Sequence, residues 1–482
     1  MNVINTLVKS KNLARLNMKP LFAVIGTTGV GKSQLSIELS KSLNGQVING
    51  DSMQVYKGFP IITNKVTKEE QEDIPHHLLD FLDVQQEYSV VDFEKDALKS
   101  IDSIQSSGQI PVLVGGTHYY IQSVIWNQSL LPSNSATKGA ERESDTEDEY
   151  EDVDTNTLYN RLKEIDSTMA EYWHPNNRRK IVRSLKVFEQ TGKKHSEWIQ
   201  EREKPELQED RLRFPTCIFW LYSEPEKLFK RLDDRVDKMI NMGLFDELKE
   251  MRELIKTSEV EFLKDEDDFS RGIKQAIGFR EFNEYFKELE NNGNSENLDK
   301  LKVEAVEAMK LNTRKYAKRQ IHWIQNKLIP VYEKSMNDKV KLYLLDATDL
   351  DQWDTNVKKQ AMKIAQDFIE GNETPEPTSL NQLAKDLLKP REHRHSGSVT
   401  EWKKYACDIC KASKESSNPL IINGVIEWEQ HLKSRRHRKQ LQYNSKVAKL
   451  GYDPREFYQN KKRQREKEDE MENEKETTKT DK

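Results

Sequence analysis

The chain has 482 residues, 35% hydrophobic and 33% charged, with a formal net charge of −5. That length predicts about two or three domains, and the composition predicts a folded core carrying exposed segments rather than uniform disorder. Its 3 cysteines exclude a disulfide framework, and no run of about 18 apolar residues is present to cross a membrane as a helix.

The near-neutral total conceals an uneven distribution. No acid precedes Glu38, and residues 141–154 (ERESDTEDEYEDVD) are strongly acidic. Basic clusters fall at 177–186 (NRRKIVRSLK), 313–320 (TRKYAKRQ) and 431–440 (HLKSRRHRKQ), patches suited to a nucleic-acid backbone.

Residues 1–18 carry Lys9, Lys11 and Arg15 beside Val3, Ile4, Leu7 and Val8, with no acid. This is the profile of an amphipathic mitochondrial presequence; a solvated N-terminus reads equally well. Initiation at Met18 would remove the segment, so the expected compartments are mitochondrion and cytoplasm, with the nucleus a third.

Leu21–Ile25 reads as a strand, and Ser33–Leu43 as an apolar-periodic helix. Between them, Gly26-Thr27-Thr28-Gly29-Val30-Gly31-Lys32-Ser33 matches G-x4-G-K-[ST] in full. The glycines let backbone N–H groups converge on phosphate oxygens, and the helix N-terminus adds partial positive charge. Lys32 supplies a point charge and Ser33 a ligand for Mg2+. A di- or triphosphate ligand is expected, but not a particular reaction.

Further strands are expected at Gln46–Ile48, Ile110–Val114, Cys217–Tyr222 and Val340–Leu345. Strands alternating with helical patterns predict a parallel sheet with functional groups at the strand carboxyl ends. Triphosphate hydrolysis usually wants a carboxylate at such an end. IPVLV runs instead into Gly115-Gly116-Thr117, which argues against an ATPase or GTPase and leaves a small-molecule kinase open. Asp51 falls just after the second strand, in the same expected crevice, with Ser52 and Gln54 able to pair with a base edge. Those groups beside a diphosphate cradle suit the orientation and deprotonation of an amine nucleophile.

Strand patterns vanish between Trp126 and Pro215, so 126–215 is expected as an inserted helical subdomain, its acidic loop 136–155 disordered. Within it, NRRKIVRSLKVF combines charge with an apolar stripe of Ile181, Val182, Leu185 and Phe188. This predicts an amphipathic helix whose basic face is solvated or binds RNA. The core then occupies 19–125 and 216–348, followed by a helix and linker at 349–400. Cys407-x2-Cys410-x20-His431-x5-His437 has the ligand types and terminal spacings of a closed, structural Zn2+ site. It sits in a C2H2-type finger at 401–442, and 459–482 is a charged tail expected to be disordered.

Several stretches in order resemble the tRNA dimethylallyltransferase (isopentenyltransferase) family, eukaryotic type with a C-terminal zinc finger. They are GTTGVGKS (26–33), INGDSMQVYKG (48–58), PHHLLD (75–80), VLVGGTHYY (112–120), RRKIVRSLKVFEQTGK (178–193), RLDDRVDKMINMGLFDEL (231–248), AIGFREF (276–282) and TRKYAKRQIHWI (313–324). The resemblance implies an α/β fold: a P-loop-containing parallel sheet core, an inserted helical tRNA-binding subdomain and a small zinc finger. It implies transfer of a dimethylallyl group from dimethylallyl diphosphate to N6 of the adenosine 3′ of the anticodon, with diphosphate released. The loop Gly26, Thr27, Thr28, Gly29, Val30, Gly31, Lys32 and Ser33 would then cradle the diphosphate, helped by Mg2+ and Arg231. Asp51 becomes the general base, Thr117 lies near the reacting centre, and Arg235 reaches the diphosphate from the opposite wall. Asp51, Ser52, Met53 and Gln54 are expected at the flipped adenine, and Arg179, Lys180, Ile181, Val182 and Arg183 at the anticodon stem-loop. The expected state is a monomer with no membrane partner; the competing reading is a P-loop small-molecule kinase or ATPase with an RNA-binding finger.

Overall fold

The computed structural model describes residues 19–127, 150, 153–203, 211–265, 267–291, 295–335, 339–389, 403–411, 419–454 and 457–458. The expected presequence, the charged tail, and the acidic loop apart from 150 and 153–155 lie outside the described residues.

Six parallel strands form the central sheet, in the order β3-β2-β4-β1-β5-β6. They are β1 (Leu21–Gly26), β2 (Gly45–Asn49), β3 (His76–His77), β4 (Ile110–Gly115), β5 (Thr216–Tyr222) and β6 (Val340–Asp346). All five expected strands are present, and the two-residue β3 is an addition at the edge. Near-continuous apolar strands are what a sheet covered on both faces requires. In β1, Phe22 and Val24 pack with Leu35 and Leu39 of the helix Lys32–Leu43. Leu21, Ala23 and Ile25 pack on the opposite face with Phe93, Ala97, Ile121 and Val124. Cys217 is fully buried in β5, a core residue as its apolar run suggests.

The helix Val90–Ser106 starts at a capping box, in which Ser89 accepts from the Asp92 amide and Asp92 accepts from the Ser89 amide. A further apolar cluster joins Val55, Tyr56, Phe59 and Ile62 to Val236, Leu244, Leu248, Phe282 and Met309. It anchors the segment after β2 against the helix Pro225–Asn241. Among the described residues no helix is long and apolar enough to cross a membrane.

The chain divides into two compact units, 1–132 with 202–391 and 133–201 with 392–482. The division and the expected boundaries differ at three points. Trp126 belongs to the first unit: it is buried, donates its indole N–H to Ser335 Oγ at 2.9 Å, and bridges to Leu212. The helix in the expected helix-and-linker segment packs on the sheet: Val357, Ala361, Ile364 and Ala365 are buried in the same cluster as Phe22 and Val24. The expected finger, 401–442, falls in the second unit together with the inserted helices.

In that unit the helices Thr155–Ile165, Ser167–Tyr172 and Arg178–Thr191 are capped by Asp154, Asp166 and Asn177. Leu158, Leu162, Met169, Ile181 and Leu185 make their common core. The C-terminal part is an antiparallel hairpin of β7 (Lys404–Lys411) and β8 (Pro419–Asn423), then the helices Val425–Leu432 and Arg435–Leu450.

Candidate active site and metal centre

The loop after β1 lies at the carboxyl edge of the sheet, where the helix Lys32–Leu43 begins. Gly31 has φ 90°, and a Cβ there would meet the Trp353 ring at 2.6 Å, so only glycine fits. Lys32 folds back to donate to Thr27 O at 2.7 Å. Burial pushes its ammonium down to about 8, with Asp51 opposing and Arg235 reinforcing that shift.

Asp51 is brought to this loop by an unusually close approach of two backbones. Gly50 N donates to Val114 O at 2.6 Å, and a Cβ on Gly115 would lie 2.1 Å from Gly50 O. The glycine run that ends β4 is therefore a steric requirement for bringing residues 50 and 115 together. Beyond this crossing, Ser52 N donates to Thr117 Oγ1 at 3.1 Å, and the Thr117 hydroxyl donates to Ser52 Oγ at 3.2 Å. Asp51 Oδ1 accepts from the Met53 amide at 3.0 Å. Burial raises the Asp51 carboxyl above the ordinary range, while the Met53 amide, Lys32, the Gln54 amide and Arg235 oppose that rise.

Arg235 closes the opposite side. Its Nε donates to Asn64 Oδ1 at 2.6 Å, and Nη1 lies 3.5 Å from Thr28 Oγ1. Thus Asp51, Thr117, Arg235 and the 26–33 loop come together around one crevice, with two cations facing one carboxylate. Thr27 and Val30 are buried in it, and His118 is buried beside it. Burial and then Lys32 hold the His118 imidazole down to about 3, so it is neutral.

Three expected roles are not supported by the placement of the side chains. Arg231 does not reach the loop; its guanidinium donates to Ala347 O at 2.8 Å and to Thr348 O, tying down the turn after β6. The Gln54 amide nitrogen is engaged by Thr63 O and Asn64 O at 3.3 and 2.9 Å, and Met53 packs against the Val55–Phe59 cluster. Ile181 and Val182 face the core of the second unit and offer no side chain to a ligand, whereas Arg179 and Lys180 are exposed and Arg183 is partly so. An amphipathic helix divides its residues this way.

Two residues in the crevice escape the sequence reading. Gln320 Oε1 accepts from the Thr28 amide at 2.9 Å, and its Nε2 donates to Gly116 O at 3.0 Å, joining the phosphate loop to the end of β4. Tyr316, one turn earlier on the helix Ser295–Trp323, shares hydrogen bonds with Thr117 and Gln320. Burial and the neighbouring Asp51 push its phenol up, so it stays protonated. The only signal is an i, i+4 spacing within a segment that reads as a basic patch.

In the second unit Cys407, Cys410, His431 and His437 place one ligand atom each within 4.8 Å of one another. His437 Nδ1 lies 3.5 Å from Cys407 Sγ, 3.7 Å from Cys410 Sγ and 3.1 Å from His431 Nε2. A tetrahedron with metal–sulfur bonds near ~2.3 Å and metal–nitrogen bonds near ~2.0 Å has edges of about 3.3–3.8 Å. The spacings from His437 are close to those edges, so the four groups could hold a single ion.

The family model described as IPP transferase matches residues 54–327, starting just past the phosphate loop and Asp51. The tRNA dimethylallyltransferase of Saccharomyces cerevisiae is 40% identical over 434 residues, covering 90% of this chain and 95% of its own length. That of Homo sapiens is 35% identical over 431 residues, covering 88% and 86%. A crystal structure of a eukaryotic dimethylallyltransferase acting on tRNA aligns with TM-score 0.72 and 37% identity over 90% of this chain and 99% of that one. Matches of this identity and coverage, on a chain with this crevice, are not those of a kinase or ATPase: the protein belongs to the tRNA dimethylallyltransferase family.

Proposed function

We propose that the protein transfers the dimethylallyl group of dimethylallyl diphosphate to N6 of the adenosine 3′-adjacent to the anticodon in tRNA, releasing diphosphate. The observation that carries this reading is the Asp51 carboxylate, which faces Lys32 and Arg235 beside a phosphate loop. The C–O bond between the allylic carbon and the diphosphate breaks, an N–C bond forms, and Asp51 takes the proton from N6. Negative charge then grows on the departing diphosphate, where Lys32, Arg235 and the loop amides receive it. Gln320 ties the Thr28 amide to the end of β4 and so holds the loop in shape for the diphosphate, and Thr117, fixed by Ser52 and Tyr316, orients groups at the reacting centre.

The hard oxygen donors at the crevice fit Mg2+, with the Ser33 hydroxyl and the diphosphate oxygens as its ligands. Bound there, the ion supplies positive charge to the leaving group. Zn2+ fits the two thiols and two imidazoles, and with no open position its role is structural. The exposed Arg179 and Lys180 with Arg183 suit phosphates of the anticodon stem-loop. A monomer is the proposed acting form; the composition of residues 1–18 supports a mitochondrial form, initiation at Met18 would give a cytoplasmic one, and the nucleus is the third proposed compartment.

The test is incubation of purified protein with tRNA and dimethylallyl diphosphate labelled in the allylic chain. Label is expected in tRNA, at an adenosine next to the anticodon. ATP hydrolysis with no label in tRNA would overturn the reading.

A further inference from the structure

The finger hairpin carries an unusual pair of polar side chains at its open end. Lys404 of β7 and Asn423 of β8 are direct cross-strand partners, and both point at the carbonyl end of the helix Ser167–Tyr172. Lys404 Nζ donates to Ala170 O and to the Tyr159 hydroxyl, and sits 4.5 Å over the Tyr159 ring. The Tyr159 hydroxyl itself donates to Ala170 O at 3.0 Å. Asn423 Nδ2 donates to Tyr172 O at 3.1 Å. A cation at the negative end of a helix, with helix carbonyls that lack intrahelical partners, is a favourable arrangement.

The contact continues in both directions. The next residue, Trp173, donates its indole N–H to Ser184 Oγ at 2.9 Å, and Lys180 Nζ lies 4.5 Å over its ring. Both partners belong to the basic helix Arg178–Thr191. On the other side, Lys404 stands three residues before Cys407 in the same strand. Tyr405 stacks on Trp428 at 5.4 Å, and Trp428 on His431 at 5.8 Å. An unbroken series of packed groups therefore runs from the metal ligands to the basic helix.

We propose that the hairpin is a positioning element for tRNA: Lys404 and Asn423 pin the end of the Ser167–Tyr172 helix, fix Trp173 and the basic face behind it, and thereby couple tRNA affinity to occupancy of the metal centre. Lys404 touches no substrate in this account. It acts through Trp173 and Lys180, and the inference rests on the proposal that tRNA is the substrate.

Lys404→Met keeps the aliphatic stem and removes the ammonium; Asn423→Ala removes the second pin. Each is made in the full, zinc-loaded protein. The KM for tRNA is expected to rise about tenfold in Lys404→Met, in the range of a lost charge-assisted hydrogen bond. kcat and the KM for dimethylallyl diphosphate should stay within about twofold and the zinc content unchanged, with Lys404→Arg restoring most of the affinity. Amide exchange across 170–173 and 178–184 should quicken in both Lys404→Met and Asn423→Ala, and in wild-type protein stripped of metal by a chelator. Wild-type KM for tRNA with unchanged exchange in both variants would overturn the proposal, as would loss of zinc from Lys404→Met. The exchange measurements do not depend on catalysis, so a wild-type protein that transfers no prenyl group refutes the activity and leaves the pinning separately tested.

Discussion

Replacing Asp51 by asparagine removes one charge and almost no volume. The amide oxygen of the new side chain can still accept the Met53 N–H that Asp51 Oδ1 accepts at 3.0 Å, so the turn after β2 should survive. What is lost is the group proposed to accept the N6 proton. Positioned general bases contribute about 10²–10⁴-fold, which corresponds to roughly 3–5 kcal/mol of barrier. Binding of the donor should move the other way or not at all. Asp51 is a negative charge beside the proposed diphosphate cradle, so its removal relieves repulsion. The signature is therefore a kcat lower by that factor with an unraised KM for dimethylallyl diphosphate, measured in single-turnover and steady-state assays with tRNA. Burial raises the Asp51 carboxyl, and it must be ionised to act. Wild-type kcat should climb with pH through a value above the ordinary carboxylate range, and the variant should lose that climb. A variant retaining kcat within about threefold, or one with the same acid limb, would show that Asp51 is not the base.

Lys32, held down to about 8 by burial, should lose its charge above that pH in the free enzyme, so the KM for the donor rises there; a flat KM to pH 9.5 would contradict its role. Its folded value lies below the ordinary amine value, so the unfolded chain holds more protons between the two and this group's contribution to stability grows with pH across that window. Gly116→Ala would place a Cβ 2.5 Å from Gln320 Nε2, displacing the side chain that joins Thr28 to Gly116. A loss of roughly 1–3 kcal/mol in donor binding is expected, with Gln320→Ala equally impaired and the double variant no worse, as a double-mutant cycle would report. Arg231→Gln should lower the melting temperature while leaving the donor KM within about twofold, whereas Arg235→Gln should raise that KM by about tenfold or more; the reverse pattern would restore Arg231 to the diphosphate.

Where a local pattern carries its own geometry, the sequence reading succeeds. The 26–33 loop needs only a strand before it and a helix after it, and both are set by apolar spacing a few residues long. Asp51 and Thr117 are legible because each follows a strand, and parallel strands deliver their carboxyl ends to one edge. Gln320 and Tyr316 reach the same crevice from a helix nearly 300 residues beyond the loop, where only tertiary packing selects which face turns inward. Arg231 shows the limit of that reading. It lies one turn before Arg235 on the same helix, and that offset points it at the carbonyls of Ala347 and Thr348. The four residues of the candidate metal centre are legible from type and spacing. Lys404 at Ala170 is not, because a cross-strand pair meeting the end of a distant helix leaves no periodic trace.

The central claim is that the phosphate held by the loop is discarded rather than transferred. The most direct measurement is the stoichiometry of products from tRNA and dimethylallyl diphosphate, counting N6-(dimethylallyl)adenosine in digested tRNA against diphosphate released. One diphosphate is expected for each modified adenosine, independent of ATP, with the modified nucleoside about 10²–10⁴-fold lower in the Asp51→Asn reaction over the same interval. Orthophosphate released from ATP without modified adenosine, or a phosphorylated product, would contradict it.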